Sequence, residues 1–155
     1  MNRFGKPITS LYADDDAEDR MLVKDAWEEN RLANQLDFVE DGEELLEYLR
    51  RAGKFSHLEN QPLPGLILLD LNMPRKDGRE ALAEIKADAR LRQIPVVVLT
   101  TSKADEDILR AYDLGVNSFI LKPVTFESLV DITRALSKYW IEVVELPSSA
   151  KDEAA

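Results

Sequence analysis

Four of the short apolar runs in this chain stop at a residue that can do chemistry: Ile8–Ala13 at Asp14-Asp15-Asp16, Leu66–Leu69 at Asp70, Val96–Leu99 at Thr100, and Ser118–Leu121 at Lys122. A carboxylate at the end of such a run cannot stay in an apolar layer without a partner, so Asp70 is expected at an opening beside the strand that carries it. Carboxylates crowded together repel, and each raises the pKa of the others unless a cation sits among them. The chain has no cysteine, and its one histidine, His57, lies in a polar loop and reads as a surface residue. The available ligands are therefore oxygens, the set that suits Mg²⁺, with Mn²⁺ as a substitute. An aspartate beside such an ion can attack phosphorus and form an aspartyl phosphate. The ion, the Lys122 ammonium and the Thr100 hydroxyl would then face the same phosphoryl oxygens.

Those four points must be brought together by the elements that precede them. Leu66-Ile67-Leu68-Leu69 is too short for a helix, and Pro64-Gly65 before it and Pro74 after it frame a strand buried on both faces. Val96–Leu99 is dominated by β-branched residues and reads the same way. Ile8–Ala13 predicts a first strand, and Leu36, Phe38 and Val39 a second, near an edge. Ser118–Leu121 predicts the fifth strand. Between the strands come helical patterns: Leu22, Val23, Ala26 and Trp27; Leu45, Leu46 and Leu49 after a capping pair Asp41/Glu44; Ala81, Leu82 and Ile85 after Gly78; Ile108, Leu109 and Tyr112, closed by Gly115; and Leu129, Ile132, Leu136 and Trp140 after a Thr125 cap. Five strands alternating with helices predict a doubly wound α/β fold with a parallel sheet. In such sheets ligands bind beyond the carboxyl ends of the strands, where all four chemical residues lie.

Composition narrows the function classes. At 155 residues the chain is one domain, expected over 1–147, with an apolar extension at 140–147 and a polar, disordered tail at 148–155. A formal net charge of −10 argues against nucleic acid and anionic membranes as direct partners. The first residues, Met1-Asn2-Arg3-Phe4-Gly5-Lys6-Pro7, lack the apolar stretch of a signal peptide, so a cytoplasmic location is expected. Gly53–Pro64 reads as a loop without periodicity, long for its place. No glycine-rich phosphate loop follows the first strand, so no nucleotide-binding residue is assigned.

The acid pair Asp14-Asp15, the run Asp70-Leu71-Asn72-Met73-Pro74 with Asp77-Gly78, then Thr100 and Lys122-Pro123 together resemble the receiver domain of two-component response regulators, over Ile8 to Tyr139. The resemblance implies a CheY-like, flavodoxin-like sheet of order 2-1-3-4-5 with five helices, an order for which chemotaxis receivers are a standing example. It implies that Asp70 accepts a phosphoryl group from a histidine kinase. Asp15 and Asp70 would ligate Mg²⁺ by their carboxylates, Asn72 by its main-chain carbonyl, and Asp14 through water. Lys122 would pair with Asp70 or its phosphate, Thr100 would move to bond the phosphate, and Phe119 would change rotamer with it. A cis bond before Pro123 is also implied. Three aspartates in a row let the pair slide by one. Ala13 is the last strand-compatible apolar position, so the pair is set at Asp14-Asp15 and Asp16 is left as a spectator or a helix-entry residue. The loop Gly53–Pro64 and the segment Trp140–Pro147 resemble the small regulators that work with bacterial phytochromes. Trp140, Ile141, Val143 and Val144 then suggest a homodimer through the last helix and tail.

The competing reading is an enzyme, a Mg²⁺-dependent phosphohydrolase that works through an aspartyl phosphate. Phosphatases of the haloacid-dehalogenase type also place a nucleophilic aspartate at a strand end. They need a second acid two residues on, where this chain has Asn72. A signalling receiver without a substrate of its own is the reading adopted.

Overall fold

Leu66 and Leu68 pack on one side of the central strand and Ile67 and Leu69 on the other, so this short segment needs cover on both faces. The computed structural model, which describes residues 9–31, 34–101 and 105–138, supplies that cover with helices on each side of a parallel sheet. The strands are β1 (Ser10–Ala13), β2 (Leu36–Val39), β3 (Leu66–Leu69), β4 (Val96–Thr100) and β5 (Ser118–Leu121). The helices are α1 (Ala17–Glu29), α2 (Gly42–Arg50), α3 (Gly78–Ala87), α4 (Asp105–Asp113) and α5 (Phe126–Ser137). The sheet is all parallel, as the sequence pattern predicts, and its order β2-β1-β3-β4-β5 is the one the family resemblance implies.

Alternation along the strands splits the core in two. Leu11, Ala13, Ile67, Leu69, Val96 and Val98 face α2 and α3, whose Leu45, Leu49, Leu82 and Ile85 are buried against them. Tyr12, Leu66, Leu68, Val97 and Leu99 face the opposite side, with Val23 and Ala26 of α1 and Leu129 and Leu136 of α5. Each fully buried leucine contributes about 1.5–3 kcal/mol relative to exposure, and the three inner strands are buried along their whole length. Leu22 departs from the predicted stripe: it is exposed, because the buried face of α1 runs through Val23, Ala26 and Trp27.

Asp41 and Thr125 cap where expected, and Asp16 and Asp77 join them. Asp16, Asp41, Asp77 and Thr125 each accept from backbone N–H groups at a helix start. Glu44 departs from the reciprocal capping pattern, accepting from the Glu40 N–H at 2.8 Å. Gly53–Pro64 is not wholly irregular: Gly53–Leu58 forms a short 3-10 helix, whose Phe55 meets the Tyr48 ring edge-on at 5.2 Å between centroids. A helix of three residues per turn needs no 3.6-residue apolar stripe, so periodicity could not show it. The expected dimer residues Trp140, Ile141, Val143 and Val144 and the expected tail lie outside the described residues.

Candidate functional site

Strand register sets the site. Ala13 pairs with Leu69, so β1 and β3 end level and Asp14 and Asp70 come side by side. Thr100 pairs with Leu121, which puts Lys122 just beyond it on the same rim. The Lys122 N–H closes that corner by donating to the Thr100 carbonyl at 2.8 Å.

At the floor lies Asp14, fully buried. Its Oδ2 accepts from the Tyr12 hydroxyl at 2.5 Å and from Lys122 Nζ at 2.6 Å, while Oδ1 accepts from the Asp16 N–H at 3.0 Å. Burial and the adjacent Asp14 carboxylate push the Tyr12 phenol far up, so it stays a donor. Asp15 is exposed at the rim.

Asp70 is buried. Its Oδ1 accepts from the Thr100 hydroxyl at 2.8 Å and the Asn72 N–H at 3.1 Å, and its Oδ2 from Lys122 Nζ at 3.0 Å. Burial pushes its carboxyl above the usual carboxylate range; the bonds from Thr100, Asn72 and Lys122 pull the other way without cancelling that effect. The loop after Asp70 is tightly returned. A Cβ on Gly78 would lie 2.4 Å from the Asp70 carbonyl oxygen, so only glycine permits the crossing of α3 under the site. Asn72 is exposed at the start of this loop.

Lys122 Nζ is the hub. Its three donors reach Asp14 at 2.6 Å, Asp19 at 2.7 Å and Asp70 at 3.0 Å. Burial alone would favour the neutral amine, but bonds to these three carboxylates outweigh it and hold the ammonium above its ordinary pKa. The bond before Pro123 is trans, since no cis peptide occurs among the described residues, which corrects the cis expectation. Trans is the lower-energy form of an X–Pro bond, and the long lysine side chain reaches all three acids from it.

The sequence-predicted residues Asp14, Asp15, Asp70, Asn72, Thr100 and Lys122 thus gather at one rim. Thr100 already donates to Asp70, because its buried hydroxyl needs an acceptor. Phe119 is half-buried on β5, packed against the core, with its N–H donating to the Tyr112 hydroxyl at 3.2 Å. Two site residues escaped the sequence reading. Tyr12 looked like one more apolar strand residue. Asp19 looked like a charge on the solvated face of α1, although it lies three residues after the Asp16 cap, a spacing that turns a side chain back toward the helix start.

Asp14, Asp15 and Asp70 can each offer one carboxylate oxygen, all within 4.8 Å of one another. An all-oxygen set of this size fits a hard divalent cation.

Known proteins resemble this chain over most of its length. Residues 11–134 match the response regulator receiver domain, and the chain belongs to that family. Response regulator Rcp1 of Synechocystis sp. (strain ATCC 27184 / PCC 6803 / Kazusa) is 38% identical over 143 residues, which cover 92% of this chain and 95% of the relative. The probable methanogenesis regulatory protein FilR2 of Methanothrix harundinacea (strain 6Ac) is 39% identical over 135 residues, 87% of this chain and 84% of FilR2. Among solved structures, the phosphorylated cyanobacterial phytochrome response regulator RcpA superposes with a TM-score of 0.85 at 40% identity, covering 92% of this chain and all of RcpA. The Mn²⁺-bound form of Rcp1 gives 0.81 at 39% identity, covering 91% and 99%.

Proposed function

We propose that Asp70 accepts a phosphoryl group from the phosphohistidine of a histidine kinase, and that the chain signals by the change in shape that follows. The observation that carries this reading is the convergence of Lys122 Nζ and the Thr100 hydroxyl on the Asp70 carboxylate, at 3.0 and 2.8 Å. An Asp70 oxygen attacks phosphorus; the new P–O bond forms as the P–N bond breaks, and the electron pair returns to the imidazole. Lys122 shifts its bond from the carboxylate to a phosphoryl oxygen, and Thr100 turns to donate to another. Phe119, on the strand that carries Lys122, moves with them. Asp15 and Asp70 by their carboxylates and Asn72 by its main-chain carbonyl would hold Mg²⁺ or Mn²⁺, with Asp14 reaching it through water. That ion, when bound, supplies the positive charge that neutralises the phosphoryl oxygens.

The added charge of about −1.5 to −2 is what biases the switch between two conformations. The chain is read as a signalling receiver, with no separate substrate, acting in the cytoplasm; none of the described helices is long and apolar enough to cross a membrane. Rcp1 and RcpA lend support for a light-sensing partner kinase, since RcpA is a phytochrome response regulator. The homodimer through the last helix and Trp140, Ile141, Val143 and Val144 belongs to the same proposal; sedimentation of a chain cut before Trp140 should show a smaller particle. For the phosphotransfer itself, a labelled phytochrome-type histidine kinase mixed with the chain and Mg²⁺ should lose its label to it. Retention of all label on every histidine kinase tried, and no labelling by acetyl phosphate, would remove the reading.

A further inference from the structure

Lys122 has three N–H donors and three carboxylate partners, of which two, Asp14 and Asp70, belong to the acid trio that can hold a cation. Its ammonium therefore shares two carboxylates with any divalent ion bound there. The third partner, Asp19, is outside that trio and 2.7 Å from Nζ. Its place is fixed from the site itself. The Asp14 carboxylate accepts from the Asp16 N–H, the Asp14 carbonyl accepts from the Arg20 guanidinium at 2.8 Å, and the Asp16 side chain accepts from the Asp19 N–H at 3.1 Å. The first turn of α1 is thus tied to the floor of the site, and Asp19 stands on that turn as an acceptor for Lys122 that a cation held by the acid trio does not engage.

We infer that Asp19 is a positioning residue: it anchors the Lys122 ammonium at the rim, so that a divalent ion can enter among Asp14, Asp15 and Asp70 without expelling the lysine the phosphoryl group will need. This rests on the receiver reading for its purpose but on the geometry alone for its effect on metal affinity. With a neutral amide at position 19, the full charge of Lys122 falls on Asp14 and Asp70 and opposes the incoming cation more strongly. The lost negative charge acts in the same direction. Metal binding must weaken.

The test is Mn²⁺ affinity, read from the free-ion electron paramagnetic resonance signal, on the full chain with no phosphodonor. Asp19→Asn should raise the Kd roughly five- to tenfold, the range for a unit charge near a divalent ion in a largely aqueous setting. Asp25→Asn removes the same charge from an exposed position of the same helix and should leave the Kd within about twofold. In a Lys122→Met background the effect of Asp19→Asn should shrink to the direct effect of the lost charge, the signature of action through the lysine. Equal effects of Asp19→Asn with and without Lys122, or equal effects of Asp19→Asn and Asp25→Asn, would overturn the inference. The second comparison stands even if the lysine variant fails to fold. A chain that shows this coupling yet takes no phosphoryl group would contradict the receiver reading and leave the anchor in place.

Discussion

The two sides of the sheet's carboxyl-end rim are built differently. On the β1–β3–β4 side every strand residue is buried, and Asp14 and Asp70 have each of their oxygens engaged. On the β5 side the strand is half-buried, Leu121 is 44% exposed, Val124 fully so, and Phe126 40%. The charged cluster is mounted on the rigid part, while the element that carries Lys122 and Phe119 is held by little apolar burial. A site that must keep its geometry and also move something needs this division, because packed cores are bistable at best and do not deform continuously. Lys122 joins the two sides.

This contrast can be broken by substitution. The largest effect is expected from Leu68→Ala in the fully buried centre, a loss of about 2–5 kcal/mol in urea-induced unfolding. Lys122→Met comes next, at about 3 kcal/mol without divalent ions, because it leaves two buried carboxylates unpaired. Since the folded protein holds Lys122 above its ordinary pKa of 10.5, that contribution is complete below pH 10.5 and fades only as pH rises through the raised value. The gap between wild type and variant should therefore be flat through neutral pH and close in strong alkali.

Asp70→Asn should have the opposite sign. Asp70 is held above its ordinary 3.8, so its ionisation is disfavoured by folding, and stability falls as pH rises through the raised value. The variant should match wild type at acid pH and exceed it at neutral pH without divalent ions, read from urea-induced unfolding at the two pH values. Saturating Mg²⁺ should reverse that order, since the ion stabilises only a chain that binds it. Leu121→Ala, on the loose side, should stay within about 0.5 kcal/mol. A loss at Leu121 as large as at Leu68 would erase the distinction between the two sides.

Much of this was legible in the residues. Uninterrupted runs such as Leu66–Leu69 and Val96–Leu99 have only one stable use, a strand covered on both faces, and the polar residue that ends each is then placed on a common rim. The caps Asp41 and Thr125, and the helix after Gly78, were readable because helix starts have local chemistry. The 3-10 helix at Gly53–Leu58 was hidden because it has no apolar stripe to display. Tyr12 and Asp19 were hidden for another reason. Their importance lies in which oxygen or nitrogen they meet across the fold, and a strand tyrosine or a helix aspartate has the same local signature whether it faces solvent or a buried acid. The trans bond before Pro123 was missed because the family resemblance, not the local sequence, suggested otherwise.

The central claim is that the buried carboxylate at the end of β3 is the phosphoryl acceptor. Incubation with acetyl phosphate and Mg²⁺, followed by reductive trapping of the acyl phosphate and peptide mass mapping, tests it most directly. One phosphoryl group per chain, trapped at Asp70 and absent from Asp70→Asn, is the predicted result. An adduct at another residue, or one that persists undiminished in Asp70→Asn, would contradict it.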